Sequence, residues 1–369
     1  MADSSSRPDL FDSCRPARLD YALVPSEMTG STAPILVVGA RTLPHADALV
    51  GLAVAEFLAR EANGLAPERH ELLAAPCDGF ALGIAHAGRA RGYVVHVGVE
   101  ADARPEIVRA VEALGARLHR VADKAAAIAA ARAHAVDPKL VYIERGDTAA
   151  IRAYGAAYLG PKIVELVRRL GAEDVGPGHA DAFVFGFEGD GFAAAAPTLK
   201  TAFPSCRLVA MSGEAAAAQW TQSASTEAPW PLPLDPESID ATATIDDQTA
   251  IGYHELLAKR PKILVDEGFT PMEQVDGLVG FFGGVGIRNL FAGVKYARAA
   301  RFTHENLVVV AVPTDLEHDR SALDAFTATA PKLTFEEAVR RIEWLRETDA
   351  GGILEASPAL KAHWRKRMR

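Results

Sequence analysis

The sequence is poor in cysteine. Its three residues, Cys14, Cys77 and Cys206 in a chain of 369, are widely spaced and odd in number, which excludes a disulfide framework and a Cys-rich zinc site. No apolar run reaches bilayer length, and the opening Met1-Ala2-Asp3-Ser4-Ser5-Ser6-Arg7 lacks the apolar core of a signal peptide. Positive charge is also in deficit: 39 Lys and Arg stand against 48 Asp and Glu, a formal charge of −9. Such a chain has no general attraction for nucleic acid or an anionic membrane, and the short basic end, Lys361 to Arg369, does not reverse that. His70, His86, His96, His119, His304 and His318 show neither H-E-x-x-H nor a three-ligand spacing, so no metal is expected. Gly283-Gly284-Val285-Gly286 lacks the βαβ context of a dinucleotide fingerprint. These absences leave a cytoplasmic protein with neither nucleic acid nor membrane as partner.

What remains is the composition of a folded protein, 49% hydrophobic and 24% charged, long enough for two apolar cores. Short β-branched runs alternate with helical periods. Strands are predicted at 35–38, 93–97, 118–121, 140–143, 182–185, 207–210 and 307–312, and the stretch 71–75 leads into a turn at Pro76-Cys77-Asp78-Gly79. Helices are predicted at 47–61, 80–89, 105–115, 122–134, 148–170 (with a break at Gly160-Pro161), 192–202 and from Thr334 to about Leu345. The alternation argues an α/β fold of two three-layer αβα domains with mostly parallel sheets covered by helices on both faces. The expected division is an extension at 1–32, a smaller domain at 33–175, a larger one at 176–345 and a tail at 346–369. The Pro-, Ser- and Thr-rich stretch 212–245 is expected to be a surface connection.

Three stretches make the order of parts resemble the fold type II family of pyridoxal-phosphate enzymes, which includes cysteine synthase, threonine synthase and the tryptophan synthase β subunit. Gly92 through Val121, with Ala113-Leu114-Gly115-Ala116, resembles a small-domain strand, helix and turn. Asp181 to Gly191 resembles a glycine-rich phosphate cup. Gly284 to Asp315 resembles the segment that partners the pyridine nitrogen. The resemblance spans roughly 33 to 345 and implies a tryptophan synthase β-like fold, amino-acid chemistry and a homodimer.

Measured against that family, four landmarks are altered. The Schiff-base lysine of a Ser-X-Lys-Asp-Arg-like segment is matched by Pro44-His45-Ala46-Asp47-Ala48, which puts Ala46 at the lysine position, and an alanine cannot form an imine. His45 is the nearest imidazole and a candidate for proton transfer. The Ser-Gly-Asn-Thr-Gly loop is matched by Ala75-Pro76-Cys77-Asp78-Gly79. Cys77 stands at the asparagine position as a candidate nucleophile or thiol donor, Pro76 removes an N–H, and Asp78 and Gly79 face the substrate side.

The phosphate cup reads Gly186-Phe187-Glu188-Gly189-Asp190-Gly191. Glu188 and Asp190 place negative charge where bare N–H groups would hold a dianion; each contact at 4 Å in a medium of effective dielectric near 20 is repulsive by roughly 4 kcal/mol. The acids are alternatively solvated loop residues, or a site for a basic group. Val285 stands where a hydroxyl would meet the pyridine nitrogen. Arg288 and Asn289 either bind an anion at the helix start or cap and bridge it.

These substitutions lead to the expectation of a pseudoenzyme: a scaffold that binds no cofactor and serves as a metabolite-binding or partner-binding subunit, with a small amino-acid-like ligand or a related enzyme subunit as partner. One alternative is an enzyme that reuses the cleft without pyridoxal phosphate, through His45, Cys77, Asp78, Glu188, Asp190 and Arg288. The other is a pyridoxal-phosphate-dependent β-substitution or elimination enzyme, cysteine synthase-like, with a displaced lysine.

Overall fold

A computed structural model describes residues 18–24, 31–41, 48–145, 148–186, 192–213, 234–245, 284–312 and 353–367. The chain divides into two compact units, one formed by 1–18 and 41–154, the other by 19–40 and 155–369. Relative to the expected segments, the first unit ends at Tyr154, and the stretches 19–40 and 155–175 belong to the second.

The first unit is built on a four-stranded parallel sheet in the order β5-β4-β3-β6, with β3 at Glu71–Ala74, β4 at Val95–Val99, β5 at Arg117–Arg120 and β6 at Leu140–Tyr142. Its helices are α1 (Ala48–Ala62), α2 (Gly79–Arg91), α3 (Pro105–Ala113), α4 (Lys124–His134) and α5 (Ala149–Tyr154). The α2 helix packs on β3 and β4 and also contacts α1 and α3. The α4 helix covers the other face, where Ala127 and Ala131 meet Leu73 and Ala75. Asp78 caps the start of α2, and Gly92 closes it at φ +82, a conformation that costs glycine nothing.

The second unit holds a seven-stranded sheet ordered β1-β2-β10-β7-β8-β9-β11. Its strands are β1 (Arg18–Val24), β2 (Ile35–Arg41), β7 (Ala182–Gly186), β8 (Arg207–Gly213), β9 (Ala241–Ile245), β10 (Val308–Val312) and β11 (Ile353–Glu355). Pairing from β2 through β9 is parallel, and β11 closes the edge antiparallel to β9. Every residue of β7 is buried, as expected for a strand covered on both faces. The helices are α6 (Gly160–Ala172), α7 (Ala196–Ala202), α8 (Gly284–Ala299) and α9 (Pro358–Arg367). From α8, Leu290, Phe291 and Val294 join Val37, Val184, Val209 and Val310 in one core; burying each such side chain contributes roughly 1.5–3 kcal/mol.

The α/β expectation with mostly parallel sheets holds, and three local expectations are corrected. The stretch 212–245 is not all surface connection, because Ala241, Ala243 and Ile245 of β9 are buried in the sheet. The segments expected as an N-terminal extension and a C-terminal tail each supply an edge strand, β1 and β11. The break expected at Gly160-Pro161 in the helix over 148–170 begins earlier, at Gly155: α5 is followed by a π-helical turn at Gly155–Leu159, and α6 opens at Gly160. The helix expected from Thr334 lies outside the described residues.

Candidate active site

At the carboxyl edge of the smaller sheet, the ends of three neighbouring strands bring chemistry together. The turn after β3 carries Cys77 and Asp78, Glu100 follows β4, and Arg145 lies three residues beyond β6. Chain direction around the sheet reverses between β3 and β6, so this edge contains a topological switch point, where open α/β sheets take their ligands.

Asp78 is held on two sides. Its Oδ1 accepts the backbone N–H of Phe80 at 2.9 Å and of Ala81 at 3.2 Å, while Oδ2 accepts Arg145 Nη1 at 3.2 Å across the switch point. The first-turn amides of α2, which could otherwise meet an anion, are therefore occupied by a carboxylate of the chain itself. Glu100 is 8% exposed, and its Oε2 accepts the Cys77 N–H at 3.1 Å. Pro76 has no N–H to offer, and the Asp78 N–H donates to the Pro76 carbonyl at 3.0 Å. The Tyr142 hydroxyl donates to the Ala75 carbonyl at 3.2 Å and braces the loop from β6.

Cys77 is 3% exposed. Burial first, then the carboxylates of Glu100 and Asp78, push its thiol up to about 12. A nucleophilic cysteine needs the opposite surroundings, cationic neighbours and access. The expected nucleophile or thiol donor is corrected on that ground: Cys77 contributes its amide and its bulk to the loop. Burial, followed by Glu144, likewise raises the Tyr142 phenol to about 12, so it stays a neutral donor.

Several expected site residues do not join this edge. His45, Glu188, Gly189, Asp190 and Gly191 lie outside the described residues. Gly186 is the buried last residue of β7. Gly284 opens α8, with Val285 and Arg288 in its first turns. Asn289 is fully buried, and its Nδ2 donates to the Ala311 carbonyl at 2.7 Å, tying α8 to β10. His96 belongs to the opposite end of the smaller sheet, where its Nε2 lies 2.6 Å from Glu71 Oε2 and its Nδ1 2.8 Å from His119 Nε2. Among the described residues no group of three His, Cys, Asp or Glu is arranged to hold a metal ion, and no helix is long and apolar enough to cross a membrane.

A family model described as "Pyridoxal-phosphate dependent enzyme" matches residues 51–272. The chain belongs to that family. Similar solved structures include an O-ureido-L-serine synthase at 19% identity, covering 91% of this chain and 98% of that one with a TM-score of 0.63. A cysteine synthase from Entamoeba histolytica has 15% identity, 94% and 98% coverage and a TM-score of 0.68. An O-acetyl serine sulfhydrylase isoform 3 from the same organism has 16% identity, 92% and 96% coverage and a TM-score of 0.66. At these identities the likeness shows the fold, a tryptophan synthase β-like αβα architecture. Among curated proteins none matches in sequence.

Family membership overturns the expectation that no cofactor is bound, because pyridoxal phosphate is the cofactor of the family. The described residues do not by themselves fit the group. Within the matched stretch the described lysines are Lys124, Lys139, Lys162 and Lys200. Lys124 and Lys139 are exposed, Lys162 sits in the first turn of α6, and Lys200 Nζ donates to the Cys206 carbonyl at 2.7 Å and to Asp240 at 3.1 Å. Lys139 precedes β6 at the amino edge of the smaller sheet, and Lys124 opens α4 after β5. The same matched stretch also contains Lys259 and Lys262, outside the described residues.

Sequence reasoning missed Glu100, Arg145 and Tyr142. Glu100 and Arg145 follow predicted strands and Tyr142 lies within one, and that position near a carboxyl edge was the available signal.

Proposed function

We propose that this protein is a pyridoxal-phosphate-dependent enzyme of the cysteine synthase-like branch. It carries out β-substitution or elimination on a small amino acid, with the cofactor-holding lysine displaced to Lys259 or Lys262. The observation that carries this reading is the family match over residues 51–272. The carboxyl-edge cluster supports it, because Cys77, Asp78, Glu100 and Arg145 converge where an α/β sheet receives a small ligand. In this reading Asp78 and Gly79 line the substrate side. Arg145 holds Asp78, and Glu100 fixes the turn between them. The solved structures of O-ureido-L-serine synthase and cysteine synthase share the fold, which favours a three-carbon amino acid carrying a leaving group as the substrate class.

The test is to load the purified full chain with pyridoxal phosphate, remove the free cofactor, record the visible spectrum, reduce with borohydride and map the labelled peptide. A retained visible band and a label on Lys259 or Lys262 are expected. Absence of retained cofactor would overturn the reading, and a label on another lysine would overturn the assignment of the anchor.

A further inference from the structure

Away from the candidate active site, three titratable side chains from neighbouring strands of the smaller sheet form one hydrogen-bonded chain. Glu71 opens β3, His96 is the second residue of β4 and His119 the third of β5. His96 Nε2 lies 2.6 Å from Glu71 Oε2, and His96 Nδ1 lies 2.8 Å from His119 Nε2. An ionised carboxylate only accepts, so His96 donates from Nε2. In the neutral pair His96 Nδ1 is then an acceptor, and the His119 Nε2–H donates to it. One added proton fits this arrangement: His96 donates from both nitrogens, and His119 takes the tautomer whose Nε2 accepts. A second added proton does not fit. Two donors and two like charges then face each other, and the bond between the rings is lost.

The charged surroundings act on this pair from each element packed there. Arg117 of β5 has its Nη1 3.7 Å from Glu71 Oε2, and His134 at the end of α4 opposes positive charge on His119 together with Arg117. Asp137, beyond α4, stands near Glu71, and Arg132 of α4 is paired with Glu144. The strand that the pair holds is the outermost of the sheet, joined to β4 on one side. It is four residues long, and Arg117, His119 and Arg120 are exposed. A strand with so few buried contacts opens locally at small cost, so a side-chain bond to β4 is a sizeable share of what keeps it in place. The backbone bond just beyond it, from the Val121 N–H to the Val99 carbonyl at 2.9 Å, lies beside Glu100. Release of β5 therefore reaches the carboxyl edge where the candidate site stands.

We propose that the His96–His119 bond is an acid-sensitive latch, which pins the edge strand β5 to β4 at neutral pH and releases it when the pair takes up its second proton. The test is hydrogen–deuterium exchange on the full chain at pH 7.5 and pH 5, with each rate corrected for intrinsic exchange. It reads the backbone without added cofactor, so its result is independent of the catalytic reading. Protection of residues 117–121 should fall about tenfold at the lower pH, the worth of one side-chain hydrogen bond, while β3 keeps its protection. His119→Gln retains a donor for His96 Nδ1 and cannot be charged, so its β5 should be protected alike at both pH values. His119→Phe has no donor, so its β5 should be poorly protected at both. Equal protection of β5 at both pH values in the parent, an acid loss unchanged in His119→Gln, or β3 and β5 losing protection together would each overturn the proposal.

Discussion

The backbone N–H of Cys77 donates to the carboxylate of Glu100 at 3.1 Å, from a turn after β3 to the end of β4. A buried carboxylate that accepts a backbone N–H is a charge-assisted bond, stronger than a neutral one. Glu100→Gln keeps an acceptor and should cost little, whereas Glu100→Ala leaves the Cys77 N–H without its partner. The expected loss for the alanine variant is roughly 1.5–3 kcal/mol, read by urea unfolding. Equal losses from both substitutions would show that the bond is not what Glu100 contributes.

The same carboxylate bears on reactivity. With its thiol pushed up to about 12 by burial, Glu100 and Asp78, Cys77 carries on the order of a thousandfold less thiolate at neutral pH than an ordinary cysteine. A disulfide reagent at pH 7.5 should leave Cys77 unlabelled in the folded chain and label it after unfolding. Cys77→Ser should leave turnover within about threefold of the parent, because a buried neutral thiol supplies no nucleophile. Rapid labelling of the native protein would contradict this.

Asp78 does two separable things. Asp78→Asn keeps an oxygen that accepts the Phe80 and Ala81 amides and loses the charge facing Arg145. Asp78→Ala loses both. The alanine variant should be less stable than the asparagine variant by about 1 kcal/mol, the usual worth of an N-cap. Substrate affinity should shift in both variants if Arg145 is held in place by this carboxylate. Thermal melts and KM measured side by side separate the two effects.

Gly155 has no room for a methyl group, because its Cβ would lie 2.0 Å from a backbone oxygen of Ala194. Gly155→Ala should destabilise the protein by about 1–3 kcal/mol through overpacking. Gly176→Ala, where the nearest atom is Leu170 Cβ at 3.9 Å, is the control and should stay within about 0.5 kcal/mol. Chemical denaturation of both variants makes the comparison.

Stability should fall on mild acidification. His86 is held below the ordinary histidine value of 6.5 by burial and then by Arg89. His119 is held down by burial, then by His96, His134 and Arg117. A histidine depressed in the folded state binds fewer protons folded than unfolded. Its contribution is therefore fully present above 6.5 and is lost as pH falls below that value toward the folded pKa. Glu71, lowered chiefly by its hydrogen bond to His96, contributes stability present above 4.5 and lost as pH falls through its own depressed value. Melting temperature should be level from pH 7 to 8 and decline below 6.5. Both His86→Gln and His119→Gln should flatten the first part of that decline.

Much of the architecture was legible because hydrophobic period is a local property. Ile35 to Val38, Ala182 to Phe185 and Leu307 to Val312 read as buried strands, and all three stand beside one another in the larger sheet. Strand β9 was missed because Ala-Thr-Ala-Thr-Ile follows a proline-rich stretch and carries little hydrophobic signal of its own; its burial comes from β8 on one side and β11 on the other. The π-helical turn at Gly155–Leu159 was equally invisible, because the approach of Ala194 creates the need for Gly155.

The sequence by itself determined the alternation of strands and helices, and it carries no lysine among 44–48. Tertiary structure alone decided which groups meet. Glu100 is 23 residues from Cys77, and Arg145 is 67 from Asp78. Strand order β5-β4-β3-β6 brings both pairs together at one edge. Periodicity says which face of a strand is buried. Which neighbour stands beside it follows from the crossovers, whose outcome no local pattern encodes.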